Sequence, residues 1–192
     1  KRATLRRFAA LGAASPMVSI ASAEESDSDA PEAIAGYVAT TPGAHFSKIR
    51  DDLKLATGET QHHLQELVRA GDLETQKDGD YRRYFPAGRF DAFEKVALGY
   101  LRRETPRGIL VTLLENPAAT AGDVADRLDV SRSAISKYAA QLEQADLLSR
   151  EDYTVQQPET VLLLLVRYAE SFGTDAARLA DDADDLVDYD AN

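Results

Sequence analysis

At 192 residues the chain has room for one ordinary domain or two small ones, and a hydrophobic share of 44% is enough for a packed core. With no cysteine, a disulfide framework, a zinc-thiolate site and a cysteine nucleophile are all excluded. The 33 acidic side chains outnumber the 22 basic ones, giving a net charge of -11, a balance that ordinarily argues against nucleic acid as a partner.

In chain order, residues 1–30 read as a flexible leader. The stretch LRRFAALGAASPMVSIASAEE holds an Arg pair, an apolar run from Phe8 to Ala23 and an Ala-Ser-Ala ending, all features of a signal-like or anchor-like segment. That run contains Pro16 and falls short of the ~20 apolar residues a spanning helix needs. Membrane attachment through residues 1–23 is therefore the alternative to a free tether.

Beyond the low-complexity linker EESDSDAPE, the chain repeats itself. A shift of 75 positions pairs Pro42 with Pro117, Ile49 with Val124, Leu53 with Leu128, Leu55 with Val130, Leu67 with Leu142, Ala70 with Ala145 and Leu73 with Leu148, without a gap. Two copies of one module follow, over residues 31–88 and 105–157.

Each copy has the same grammar. A first helix is expected over 32–40 or 106–115, the second with Thr105 as N-cap and Pro106 at the first helical position. Next comes a helix over 46–53 or 121–128, then a short turn ending in Leu55 or Val130. A third helix starts from an N-cap at Thr57 or Ser131. Its apolar stripe is Thr60, His63, Leu64 and Leu67 in copy one, and Ile135, Tyr138, Ala139 and Leu142 in copy two, which leaves the opposite face free. In copy one, two β-favouring runs over 73–77 and 81–85 flank Asp78-Gly79, a dipeptide suited to a hairpin turn. Copy two carries a shorter hairpin in LLSREDYTVQQPE, turning at Glu151-Asp152.

Between the copies, 89–104 reads as a linker helix whose apolar face is Phe90, Phe93, Val96, Ala97, Tyr100 and Leu101. After them, 158–174 reads as a packing or dimerisation helix, apolar on most sides from Val161 to Val166 and too short to span a bilayer. Residues 175–192 carry seven Asp against one Arg and read as an acidic tail.

Two helices joined by a tight turn, the second capped and free on one polar face, followed by a hairpin, describe a winged helix-turn-helix. The residues TGETQHHLQELVRAGDLETQKDGDYRRYF and ADRLDVSRSAISKYAAQLEQADLL resemble the winged helix-turn-helix of MarR/ArsR-type regulators. In tandem they resemble the two-winged-helix regulators of haloarchaea. The expected fold is mainly α with small β-hairpin wings: two tandem winged helix-turn-helix modules joined by a helix. The acidic composition, with 16 Arg against 6 Lys, likewise resembles proteins of salt-loving archaea, in which net acidity no longer counts against DNA.

The second element of such a motif enters the major groove with its N-terminal residues on base edges. In copy two these are Arg132, Ser133, Ser136 and Lys137; in copy one, Gln61 and His62 lie on the helix, and Lys77, Arg82 and Arg83 on the wing. Strand alternation allows only one of Arg82 and Arg83 to point freely outward. His62 and Glu66 are four apart and could share a ligand face, but without cysteine no metal site is expected, and His63, standing where the repeat has Tyr138, reads as a packing ring. No catalytic constellation and no cofactor are expected. The reading is a sequence-specific DNA-binding transcriptional regulator with no enzymatic activity, binding double-stranded DNA in a high-salt cytoplasm, with a homodimer formed through 158–172. The alternative is a tandem winged-helix protein-interaction or scaffold module, with a protein partner on module 1.

Overall fold

The computed structural model describes residues 29–181; the expected leader before residue 29 and the expected tail after 181 lie outside them. The chain divides into two compact units, one ending at Asp91 and one beginning at Ala92. The first holds α1 (Asp29–Thr40), β1 (Ala44–His45), α2 (Phe46–Leu53), α3 (Thr57–Ala70), β2 (Leu73–Asp78) and β3 (Tyr81–Pro86). The second holds α4 (Ala92–Leu101), α5 (Glu104–Glu115), α6 (Ala121–Leu128), α7 (Arg132–Gln144), β4 (Leu148–Ser149), β5 (Thr154–Val155), α8 (Pro158–Arg167), α9 (Ala169–Phe172) and α10 (Thr174–Asp181).

The 75-residue shift carries α1 onto α5, α2 onto α6 and the start of β2 onto the start of β4. It also carries the special backbone positions. His45 and Thr120 are N-caps, Lys54 and Asp129 are left-handed C-caps, and Gly71 and Asp146 both have positive φ, 84° and 56°. Each αL residue turns the chain out of its helix while its own N–H bonds back into the last turn. Repeated caps at a fixed offset fold both copies alike.

In the first unit, Ile34, Tyr37 and Val38 of α1 pack on Ile49 and Leu53 of α2, Leu64 of α3 and Leu73 and Tyr84 of the hairpin. The three-stranded antiparallel sheet has the order β1-β3-β2. Its hairpin turns at Gly79-Asp80, one residue later than expected, because Asp78 pairs with Tyr81 and so belongs to the ladder. Gly79, at φ 59°, supplies the positive angle that a two-residue hairpin loop needs.

In the second unit α5 packs on α6 and α7, closely enough that a Cβ on Gly108 would stand 2.7 Å from Leu128 Cδ2. The helix expected over 106–115 starts earlier: Arg103 is its N-cap, Thr105 its second residue and Pro106 its third. The proline still falls among the first four positions, where a helix has no use for the N–H.

The linker segment is shared out between the units. Phe90 is buried in the first, edge-on to Phe85 at 6.1 Å, whereas α4 packs on α5 and α8 in the second, burying Ala97, Leu98 and Leu101. The segment 158–174, read as one helix, breaks at Tyr168 into α8 and α9. Residues 175–181, read as the start of the acidic tail, lie in α10, where Ala176 and Leu179 are fully buried. Their spacing of three places both on one helical face, enough to dock a short helix between charged flanks.

Candidate nucleic-acid interface

In the second unit, Thr120 opens α6 with a reciprocal cap: its Oγ1 accepts from the Asp123 N–H at 3.3 Å, and the Asp123 carboxylate accepts from the Thr120 N–H at 2.8 Å. The hydrogen bonds it accepts from the Thr120 N–H and, at 2.7 Å, from the Thr120 hydroxyl hold the Asp123 carboxyl below its ordinary pKa. The chain leaves α6 through Asp129, and the Val130 N–H donates to the Ala125 carbonyl at 3.1 Å. Ser131 then caps α7, its Oγ accepting from the Ala134 N–H at 3.2 Å. Ile135, Ala139 and Leu142 are buried beneath the helix and Tyr138 is half-buried.

That packing leaves Arg132, Ser133, Ser136 and Lys137 exposed on the first turns of α7. Ser133 Oγ lies 2.9 Å from Ser131 Oγ, and the Lys137 ammonium stands 5.7 Å from the centre of the Tyr138 ring. The Arg132 guanidinium lies over the start of α6, where a Cβ on Gly122 would be 3.6 Å from its Nη2. The first turn of α7 contains no acid, and among the described residues neither Arg132 nor Lys137 is ion-paired. The positive end of the helix dipole adds to the same face.

In the first unit α3 starts differently. Its N-cap is Ala56, not Thr57, which is the first helical residue; Ala56 is also the residue that the shift of 75 equates with Ser131. Alanine offers no side-chain cap, and only half of a capping box is made, from the Ala56 N–H to Glu59 Oε2 at 3.1 Å. Thr60, His63 and Leu64 are buried; Gln61 and His62 are exposed. His63 packs inward as its counterpart in the repeat suggested.

On the wing, Lys77 and Arg82 are exposed and directly opposite each other in the β2–β3 ladder, so both project from one face. Neither is ion-paired among the described residues. Arg83, expected with them, is 3% exposed and turned into the unit. It pairs with Asp78, donates from Nη1 to the Gly43 carbonyl at 2.8 Å and lies 5.8 Å from the centre of the Tyr81 ring. Alternation along β3 puts Arg82 and Arg83 on opposite faces, and Arg83 is held by Asp78 and the Gly43 carbonyl on its own.

A further cation went unnoticed in the sequence. Arg69 is exposed at the end of α3 and, with Arg82, Val68, Thr75 and Tyr84, lines a cleft of about 240 Å³ between helix and wing. Its signal was the spacing of Gln61, Gln65 and Arg69, four apart on one face. The arginines that close the segment between the copies serve the fold. Arg102 donates to the Ser171 carbonyl at 2.7 Å with its guanidinium 4.3 Å from the centre of the Phe172 ring, and the buried Arg107 donates to the Leu101 carbonyl at 3.1 Å.

Two winged helix-turn-helix modules, each with a helix beside a hairpin, support a DNA-binding transcriptional regulator. Family models match accordingly: residues 28–98 match an N-terminal HTH domain, and residues 105–154 match the MarR family. Such domains are typical of regulators without enzymatic activity. No curated protein and no solved structure matches the chain. Among the described residues no helix is long and apolar enough to cross a membrane.

Proposed function

We propose that the chain reads double-stranded DNA by sequence, that both of its winged helices act as a pair on the duplex, and that it does so in a high-salt cytoplasm. The observation that carries this is the start of α7, where Arg132 and Lys137 stand exposed and unpaired among the described residues of a chain with 33 acids. Arg132 has the fork geometry to bind guanine O6 and N7, Ser133 and Ser136 can take either donor or acceptor edges, and Lys137 suits phosphate.

The first module contributes Gln61, whose amide can pair with adenine, and the wing cations Lys77 and Arg82. Like charges directly opposite in a ladder repel each other. An anion lying along that face, such as a phosphate, removes the repulsion. Arg83 has no part in contact with DNA. At ~1 M salt the screening length is about 3 Å, so recognition leans on short-range contacts more than on long-range attraction.

A homodimer through 158–172 is supported by Leu163 and Val166, which are 59% and 37% exposed on the outer side of α8, while Val161, Leu164 and Leu165 are buried on its inner side.

The test is selection from a random duplex library in molar KCl. Enrichment of one motif supports the reading. No enrichment at any salt concentration contradicts it and favours a protein-interaction module, for which the acidic Glu59 and Glu66 on the exposed side of α3 are the available surface.

A further inference from the structure

We propose that the acidic segment 182–192 docks on the first turns of α7 in the absence of DNA, its carboxylates meeting Arg132 and Lys137. The segment follows directly on α10 and holds Asp182, Asp184, Asp185, Asp188 and Asp190, with no Lys or Arg. A run of acids is ordinarily left to water. What distinguishes this one is the face available to it in its own unit.

That face is the start of α7. Arg132, Ser133, Ser136 and Lys137 are exposed there, and neither cation is ion-paired among the described residues. Other arginines of the unit are taken: Arg127 pairs with Glu115, Arg150 with Glu143, and Arg102 and Arg107 donate to backbone carbonyls. The guanidinium fork of Arg132 fits a carboxylate as well as it fits phosphate or the edge of guanine. The N-terminal end of α7, with no acid in its first turn, adds positive potential at the same place. An Asp-rich segment therefore offers α7 what DNA offers, negative oxygens in series.

The tether is short enough to matter and long enough to reach. Helix α10, from which the segment departs, packs on α5, and α5 packs on α7, so its root lies one helix away from the face. Eleven residues span at most about 36–40 Å, and a unit of this size has a radius of gyration of about 12 Å, so most of its surface is within reach. A segment tethered at an effective concentration of about 1 mM fills half to nine-tenths of a site with an intrinsic dissociation constant of ~0.1–1 mM, which raises the apparent dissociation constant for DNA about two- to tenfold.

Salt sets which occupant wins. The screening length falls from about 10 Å at 0.1 M to about 3 Å at 1 M, so a contact between exposed charges weakens as salt rises. DNA binding weakens too, through counterion release. Because both occupants use the same side chains, the departure of the segment offsets part of the loss of DNA affinity. The salt slope of the whole chain is then shallower than that of a chain whose segment is neutral. This consequence rests on the DNA-binding reading given above; the docked segment itself does not.

The experiment uses the full chain. It has no cysteine, so a nitroxide on Ala191→Cys labels one place. Amide signals are recorded without DNA at the lowest KCl concentration that keeps the native circular dichroism, and again in molar KCl. The comparison chain is Asp182→Asn/Asp184→Asn/Asp185→Asn/Asp188→Asn/Asp190→Asn. Broadening at residues 131–137 that is lost in the neutral chain and in molar KCl is expected. No broadening there, equal broadening in both chains, or broadening at Lys77 and Arg82 instead overturns the docking. DNA affinity is then compared for the unlabelled chains. The neutral chain is expected to bind about two- to tenfold more tightly at the lowest KCl concentration and equally in molar KCl, and equal affinity throughout overturns the competition. In the Arg132→Ala/Lys137→Ala background the gain is expected to vanish, and a gain of the same size there assigns it to general charge and also overturns the competition. If no chain binds DNA while the broadening persists, the DNA-binding reading fails and the docked segment stands.

Discussion

Arg83 and Gly43, forty positions apart, are joined by a hydrogen bond of 2.8 Å from guanidinium to backbone carbonyl, which ties the wing to the turn before β1. Arg83 also pairs with Asp78, whose side chain is 18% exposed. Removing one partner of a buried pair strands the other, so Arg83→Ala is expected to cost roughly 2–4 kcal/mol in urea unfolding. Lysine lacks the planar fork and does not restore it. Arg82→Ala, at an exposed position next door, is expected to stay within about 0.5 kcal/mol and to weaken DNA binding instead.

Ala56 and Ser131 hold the same place in the two copies but differ in capping. Ser131→Ala is expected to lower stability by about 1 kcal/mol, and Ala56→Ser to raise it by about 0.5–1 kcal/mol, since the new hydroxyl can accept from the N–H three residues on. Thermal melts of the two variants check the opposite signs. A destabilising Ala56→Ser contradicts the assignment of the cap.

The helices and their order were legible because the repeat preserves the buried positions and the punctuation together, as in Leu53 with Leu128 and Lys54 with Asp129. What stayed hidden was settled by tertiary context. The cap of α3 fell on alanine, a residue that carries no capping signal, and the hairpin turn shifted by one because Asp78 pairs with Tyr81 in the ladder. Strand alternation showed that one arginine of the wing must turn inward but not which one. Helix α10 was masked by its acidic composition, since two buried apolar side chains, Ala176 and Leu179, suffice to dock it.

His45 makes stability depend on pH. It is half-buried, its Nδ1 accepts from the Lys48 N–H at 3.3 Å to cap α2, and its ring stacks on Tyr81 at 4.9 Å. Burial, then the charges of Arg83 and Lys48, lower its pKa below 6.5, while Asp51 opposes the shift. The folded state thus favours the neutral ring. Its contribution is complete above the unfolded value and is lost as pH falls through the folded one. Between about pH 7.5 and 5, where histidine titrates, the melting temperature of the wild type is expected to drop more than that of His45→Asn, which can cap without titrating. Parallel profiles contradict this.

Leu163 gives a test of assembly. If the outer side of α8 meets a second copy, Leu163→Asp is expected to shift the chain to monomer in light scattering while leaving its helical content unchanged, because the side chain is 59% exposed. An unchanged mass removes this face from the interface.

Arg132 and Lys137 carry the central claim, and the most direct measurement is the affinity of the wild type and of the Arg132→Ala/Lys137→Ala chain for a selected duplex, followed across KCl concentrations by fluorescence anisotropy. Both side chains are exposed and unpaired among the described residues, so the double variant should fold with stability within about 1 kcal/mol of wild type. A loss of about 10- to 1000-fold in affinity, with reduced discrimination against mismatched sites and a shallower salt slope, is the predicted result. Equal affinity and equal discrimination in the two proteins would contradict the account.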